Sequence, residues 1–424
     1  MALDLSALCR LVLDMSGSLV GEANDKHGRQ VLALGRYLES ASAHEYWAQA
    51  ADLSRENSAW LLARPIEPLN ATYDAPARPS EYALIATDGS QIDVERHGMA
   101  ACYVINIGRV YLRYGTRPAA RLSSRPALYY RDEDLYLSDG VRRIPIEGNY
   151  LSTRRDVEEG QALVELADEW LPRPPAHPAP RQGSFDELLN GPTAPHLPAL
   201  ALQDGTLVRW TLANAETFVQ QHFLQPYLRY LSAMRERDIP VASYISRPRA
   251  PEVAGAIRLM FCPDVDVAQG RGAKCSACSD AAANREPTCM VCQGLTDADI
   301  LADMLAEGQR GPIFASLSRI NVEAYGEHLI HFFYMRVGRE IARVEIPRWV
   351  ADDRAQVDVV HALVYDQCMK GQGYPVALAR AHEQAIVRAA DRRAFLGIVE
   401  GSLLRAELPA SDSRKRESKE RQAL

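Results

Sequence analysis

Residues 82–86, Tyr-Ala-Leu-Ile-Ala, end at Thr87-Asp88-Gly89. The apolar run over 83–86, closed by a turn signal, predicts a strand buried on both faces. The same pattern returns at Ala199-Leu-Ala-Leu-Gln-Asp204-Gly205-Thr206. Between the two, residues 100–107 and 110–114 flank Gly108-Arg109, a two-residue hairpin signal. Short strands with polar turns continue over 127–146. The period then changes. Leu163, Leu166, Ala167 and Trp170 put one apolar face on a helix over 154–170, with Asp156 in its first turn. Further helices are expected over 216–237, 297–309 and 356–369, and one is entered through Pro375, a residue suited to a first helical turn. Strands are expected at 241–245, and at 331–337 and 340–346 across Gly338-Arg339.

The first 62 residues carry helical spacing, with Leu3, Leu5, Leu8, Leu11 and Val12, then Val31, Leu32, Leu34 and Leu38. The pattern loosens over 17–28, which predicts two or three helices. Residues 64–80, rich in Pro and Ala, read as a linker, and 171–196, with seven prolines, as an exposed insertion. After Ala406 the tail is dense in charge without apolar anchors and is expected to be disordered. The expected organisation is a helical segment and linker over 1–78, a main domain of mixed strands and helices over 79–405 and the tail over 406–424.

At 424 residues the chain can bury a large core. No basic stretch followed by an apolar one opens it, and no apolar run reaches membrane-spanning length, so a cytoplasmic protein is expected. A net charge of -7 excludes a uniformly basic coat, and any nucleic acid must be met by a local basic channel. Of 48 Lys and Arg residues only those at 26, 274, 370, 415 and 419 are Lys. Arginine suits bidentate phosphate contacts, and a general composition bias gives the same ratio.

Candidate chemistry follows from the repeated strand end. A single Asp-Gly is an ordinary turn. Two of them, each after an apolar strand and before a hydroxyl residue, suggest that Asp88 and Asp204 converge as hard oxygen ligands on one divalent cation. On the helix over 154–170, Glu159 shares the apolar face and Glu158 is rotated off it toward solvent. Both are also simply the acids that a helix start favours. His382 shares a face with Leu378 and Ile386, which suits a core histidine as well as a ligand. Cys275-x2-Cys278-x10-Cys289-x2-Cys292 places four thiolates around one tetrahedral ion in a Cys-rich loop over 262–293, with Cys262 as a spare. Zinc in a structural role is the first reading and an iron–sulfur cluster the alternative. No G-x-x-x-x-G-K-[ST] pattern is present, so ATP-driven motion must come from a partner.

In this order, Ala86-Thr-Asp-Gly-Ser-Gln91, Arg96-His97-Gly98, Val104-Ile-Asn-Ile-Gly108, the helix at Arg155, Leu202-Gln-Asp-Gly-Thr206, Arg343-Val-Glu-Ile-Pro347 and Gly373-Tyr-Pro375 with Ala381-His382 resemble the NurA nuclease family. The resemblance covers most of residues 80–402. It implies an α/β fold with an RNase H-like core of mixed sheet flanked by helices. It also implies a manganese-dependent DNA nuclease (Mg2+ being the alternative ion) of the 5'–3' exonuclease and single-strand endonuclease type. Such nucleases are homodimers acting on single- and double-stranded DNA ends with a hexameric HerA-type ATPase in double-strand break repair. By position the family's metal carboxylates fall on Asp88, Glu159 and Asp204, and its tyrosine and histidine on Tyr374 and His382. His382 is then either a leaving-group acid or a further manganese ligand.

The chain departs from the family pattern at Thr206, where Ser is common, in the proline-rich insertion between Glu159 and Asp204, and in the Cys-rich loop, which only some relatives carry. Two other readings stand beside the nuclease: a non-catalytic DNA clamp or adaptor for the translocase, and an RNase H-like nuclease acting on another nucleic acid.

Overall fold

The computed structural model describes residues 4–94, 100–171 and 197–407. The expected proline-rich insertion, the Arg96-His97-Gly98 segment and nearly all of the tail lie outside them. In chain order the principal elements are α1 (Leu5–Glu39), α2 (His44–Ser54), β1 (Ala63–Pro65), β2 (Tyr82–Ile92), β3 (Tyr103–Tyr114), β4 (Ala119–Tyr129) and α3 (Asn149–Trp170). They continue with β5 (Ala199–Asp204), α4 (Thr217–Arg235), β6 (Val241–Ile245), α5 (Glu252–Phe261), β7 (Phe314–Ser316), β8 (Ile330–Val337), β9 (Glu340–Pro347), α6 (Arg354–Lys370), α7 (Val376–Ala385) and α8 (Ala389–Arg405). Among the described residues no helix is long and apolar enough to cross a membrane.

The chain divides into two compact units: residues 1–75 with 245–345, and 76–244 with 346–424. In the first unit, strands run in the order β1-β7-β8-β9, with β7 antiparallel to both β1 and β8. Its core gathers Tyr37, Ile257, Phe314, Phe332 and Tyr334. The segment expected as a linker is anchored here. The fully buried Arg310 guanidinium pairs with Glu67 at 2.8 Å and lies 3.9 Å from the Tyr73 ring, which holds the Pro- and Ala-rich chain against the unit. The expected break over 17–28 is absent as well, because α1 runs through it. Gly21 and Gly28 lie where nothing approaches within 4 Å, so they weaken an exposed helix without ending it.

The second unit is a mixed sheet in the order β4-β3-β2-β5-β6. The pairs β2/β3 and β3/β4 are antiparallel, and β2/β5 and β5/β6 are parallel. Strand alternation sends Thr87 and Gly89 to one face of β2, and Asp88 and Ser90 to the other. Helix α3 packs on the first face, where the Thr87 hydroxyl donates to the Glu159 carbonyl at 3.0 Å. Helix α7 packs on the second, where the Ser90 hydroxyl donates to the Ala385 carbonyl.

Two glycines taken from the sequence as turn signals have another purpose. Gly89 does not end its strand, since β2 pairs with β3 as far as Ile92. Gly108 does not turn a hairpin either; it sits mid-strand in β3, opposite Asp88. A Cβ on Gly108 would lie 2.1 Å from the Ala381 carbonyl, so its bareness is what lets α7 lie on the sheet. Gly108→Ala should therefore destabilise the protein by about 1–3 kcal/mol through overpacking. Gly21→Ala, on the open surface of α1, should stabilise it by about 0.5–1 kcal/mol. Denaturant midpoints of the two variants check this, and effects of the same sign would refute the close-approach explanation.

Candidate functional site

The parallel register pairs Ala83 with Ala199 and Thr87 with Gln203. One residue further on, Asp88 and Asp204 stand side by side on adjacent strands, about 4.8 Å apart at the backbone, with side chains on the α7 face. Strand β5 stops at Asp204 because Gly205 turns with a φ of 75°, a conformation that disfavours a side chain.

Each aspartate has a partner from the C-terminal helical region. His382 Nδ1 lies 2.7 Å from Asp88 Oδ2, and the Tyr374 hydroxyl donates to Asp204 Oδ1 at 2.8 Å. Tyr374 packs edge-on against Tyr244, 5.6 Å between ring centroids. With Nδ1–H directed at Asp88, the His382 Nε2 is left toward solvent on a largely exposed side chain. Burial raises the Asp204 pKa, as does the charge of Asp88, against the Tyr374 hydroxyl, the Gly205 N–H and His382. Burial and the Asp204 carboxylate raise Tyr374 in turn, so it remains a neutral donor.

Glu159 reaches the same strand from the opposite face. Helix α3 begins at Asn149, earlier than the sequence pattern indicated, so Glu159 lies well inside it and is not a first-turn acid. The residue is 5% exposed. Its Oε1 would lie 2.6 Å from a Cβ at Gly89, and Arg155 Cγ equally close, so the missing side chain there admits the carboxyl together with the arginine stem. Arg155 Nε is 3.3 Å from Oε1 without hydrogen-bond geometry, and the Gln203 amide reaches Oε2 at 3.5 Å. Burial first, then the Asp156 and Asp88 carboxylates, push the Glu159 pKa up to about 8 against Arg155 and Arg209. The structure thus gathers Asp88, Asp204, Tyr374 and His382 on one face and brings Glu159 to that strand end from the other.

Three sequence expectations need correction here. Glu158 does not point into solvent. The Tyr129 hydroxyl donates to it at 2.6 Å and Arg154 pairs with it at 3.3 Å, because β4 and its tyrosine lie beside α3. Trp170 is not a core residue like Leu163 and Leu166; it is 39% exposed and stacks on Tyr111. On α7, Leu378 is buried, but His382 is turned outward and Ile386 caps the helix.

Several supporting contacts escaped the sequence reading. Asn106 donates to the Ala385 carbonyl at 2.8 Å and accepts from Ser124, holding the C-terminal end of α7. Asp156 pairs with the buried Arg209. For Asn106, and for Gln203 beside Glu159, the signal was weak: a polar residue in an apolar strand, Ile-Asn-Ile at 105–107 and Leu-Gln at 202–203.

Among the described residues, no group of three or more His, Cys, Asp or Glu side chains stands in an arrangement that could hold a metal ion. The donor chemistry at the strand ends nevertheless fits a divalent cation. The ligands are hard oxygens, two carboxylates adjoin with like charge, and a buried third has only a long amide contact and an ill-aligned arginine. The cysteine loop belongs to the first unit, and its thiols are all free. Cys275–Ala277 and Thr288–Cys292 are each a 3-10 turn. Cys292 is packed in the apolar core, where burial pushes its thiol up to about 11. Burial also raises Cys262 and Cys289, with the neighbouring thiols adding to the effect.

Fold and site together define an α/β protein with acidic groups side by side on adjacent parallel strands, where their pairing ends. The family model for the NurA domain matches residues 82–387, and the chain belongs to the NurA family. No curated protein matches it. Family membership implies a nuclease-type role in DNA processing.

One prediction concerns acid–base behaviour. Folding raises Glu159 from 4.5 to about 8, so the folded, metal-free protein binds this proton more tightly than the unfolded chain. The resulting stabilisation is complete below about pH 4 and is lost as pH rises through 8. Between pH 6 and 9 wild-type stability should fall more than that of Glu159→Gln, by on the order of 2 kcal/mol. Urea titrations in EDTA measure this, and parallel pH profiles for the two proteins would refute the buried, protonated carboxyl.

Proposed function

We propose that the protein is a divalent-metal-dependent DNA nuclease, with Mn2+ as the working ion and Mg2+ as the alternative. It acts in the cytoplasm on single- and double-stranded DNA ends as a 5'–3' exonuclease and single-strand endonuclease in double-strand break processing. The observation that carries the reading is the register that sets Asp88 beside Asp204, each met by a polar group from the C-terminal region, His382 on α7 and Tyr374 in the turn before it. An RNase H-like core is supported by the strand order. Three consecutive antiparallel strands are followed by two parallel ones added beside the first.

Asp88 and Asp204 would hold the ion, with Glu159 completing the set past the bare Gly89. When bound, the ion activates water and stabilises charge at the phosphodiester. The chain's own groups then have separable tasks. Tyr374, a neutral donor, fixes the Asp204 carboxylate. Asp88 fixes the His382 ring through Nδ1, so that an imidazolium there has its Nε2–H free to give to the departing oxygen, leaving the neutral ring with its remaining proton on Nδ1 toward Asp88.

We further assign a structural zinc to Cys275, Cys278, Cys289 and Cys292, with Cys262 beside them; two short turns, one opening at Cys275 and capped by Cys278 and the other carrying Cys289 and Cys292, support this. Homodimer formation and a HerA-type hexameric ATPase partner rest on the family resemblance. For that motor the docking surface is the start of α1, where Leu5, Leu8, Val12, Met15 and Leu19 form an exposed apolar stripe.

End-labelled single- and double-stranded DNA incubated with Mn2+, Mg2+ or EDTA tests the activity. Asp88→Asn and Asp204→Asn should each lower cleavage by on the order of 10²-fold or more while the protein stays folded, since the charge that holds the ion is gone. Full cleavage in EDTA, or by both variants, rules the reading out. Elemental analysis of protein never exposed to a nickel column should find about one zinc per chain. A chain free of both zinc and iron rules out the cysteine site.

A further inference from the structure

Gln203 is buried in β5, directly before Asp204 and on the opposite face of the sheet. Its carboxamide orientation is set by its neighbours. The Tyr230 hydroxyl donates to Gln203 Oε1 at 3.0 Å, and the Tyr227 hydroxyl reaches the same oxygen at 3.3 Å. With the oxygen facing two phenols, the amide nitrogen must point the other way, toward Glu159 Oε2 at 3.5 Å. The contacts close into a ring. A Cβ at Gly160 would lie 2.3 Å from Tyr230 Cδ1, so the tyrosine ring is seated directly on the backbone next to Glu159. Tyr230 thus spaces α3 from α4 and orients the amide that meets the glutamate. Arg209 adds a second brace, lying 4.6 Å from the Tyr227 ring and pairing with Asp156 on α3.

We propose that Gln203 is a positioning residue for Glu159, holding the carboxyl against the gap at Gly89 where it can join the cation. The inference rests on the metal-nuclease reading above. A carboxyl with one oxygen given to an amide donor keeps the other for the ion, and its direction is set by a partner that cannot itself ionise. Groups that orient ligands in this way are worth about 10–100-fold in metal affinity or activity when removed.

The test uses the full-length protein and Mn2+ as the probe. Binding is read by the loss of the free-ion electron paramagnetic resonance signal, cleavage by single-turnover assay, and fold by thermal melting in EDTA. Gln203→Met keeps the volume and removes the amide donor. Gln203→Glu keeps an acceptor for the two tyrosines and sets a carboxyl oxygen against Glu159. Tyr230→Phe leaves Gln203 in place and removes one hydroxyl that orients it. The Gln203 variants should weaken Mn2+ binding by about 10–100-fold, with cleavage recovering as Mn2+ is raised. Tyr230→Phe, the mildest change, should show a smaller loss in the same direction and serves if the Gln203 variants fail to fold. Unchanged Mn2+ affinity in any of these that folds overturns the positioning role. So does a loss of cleavage at saturating Mn2+ without a change in binding. A wild-type protein that binds no Mn2+ removes the parent reading along with this one, whereas Mn2+-dependent cleavage indifferent to Gln203 removes this one alone.

Discussion

Two like charges on neighbouring strands are the constraint around which the second unit is built. Parallel pairing of β2 with β5 in the register Thr87 to Gln203 leaves no freedom in where the next residues go, so Asp88 and Asp204 adjoin. A one-residue slip would turn one of them to the opposite face. Apolar burial of the preceding residues locks that register, since Leu84, Ile85, Leu200 and Leu202 are all inaccessible. The strands are ordinary core elements up to the point where their mutual pairing stops, at Asp88 and Asp204. Only there do they carry charge, and the hydrogen bonds of His382 and Tyr374 hold the two carboxylates in place.

Close approach does the rest. Glycine serves at three places where elements cross, and in each the missing Cβ belongs to a different contact. Gly108 receives the backbone of α7, Gly160 receives the ring of Tyr230, and Gly89 receives the Glu159 carboxyl. These contacts bring α7 down on one face of the sheet and α3 on the other. Groups from two helices and two strands thus reach one strand end, although they are distant in sequence.

The strands bearing Asp88 and Asp204 were legible because continuous apolar runs bounded by Asp-Gly are a strong local signal. The Glu159 helix was legible from its periodicity and the C-terminal histidine helix from Pro375 at its entry, although the face read for His382 was not the one it presents. What misled was the reading of glycine. Gly89 and Gly108 look like turns in one dimension, but their reason is tertiary: each is bare because something else must pass. The same limit applies to Glu158, whose partner Tyr129 arrives from another strand, and to Gln203, whose tyrosines lie on α4. Helix rotation can be computed from sequence. Which neighbouring element covers a given side of the helix cannot. The Pro- and Ala-rich stretch after residue 63 shows the converse, a composition typical of linkers held down by one buried arginine, Arg310.

The central claim is that a divalent cation belongs beside Asp88 and Asp204, where the pairing of β2 with β5 ends. Anomalous X-ray scattering from crystals grown with Mn2+ tests it most directly. The metal-nuclease reading predicts a peak within coordination distance of both the Asp88 and Asp204 carboxylates, with the Glu159 side chain drawn toward it past Gly89. Manganese found only elsewhere, or none at this strand end under saturating Mn2+, would contradict it.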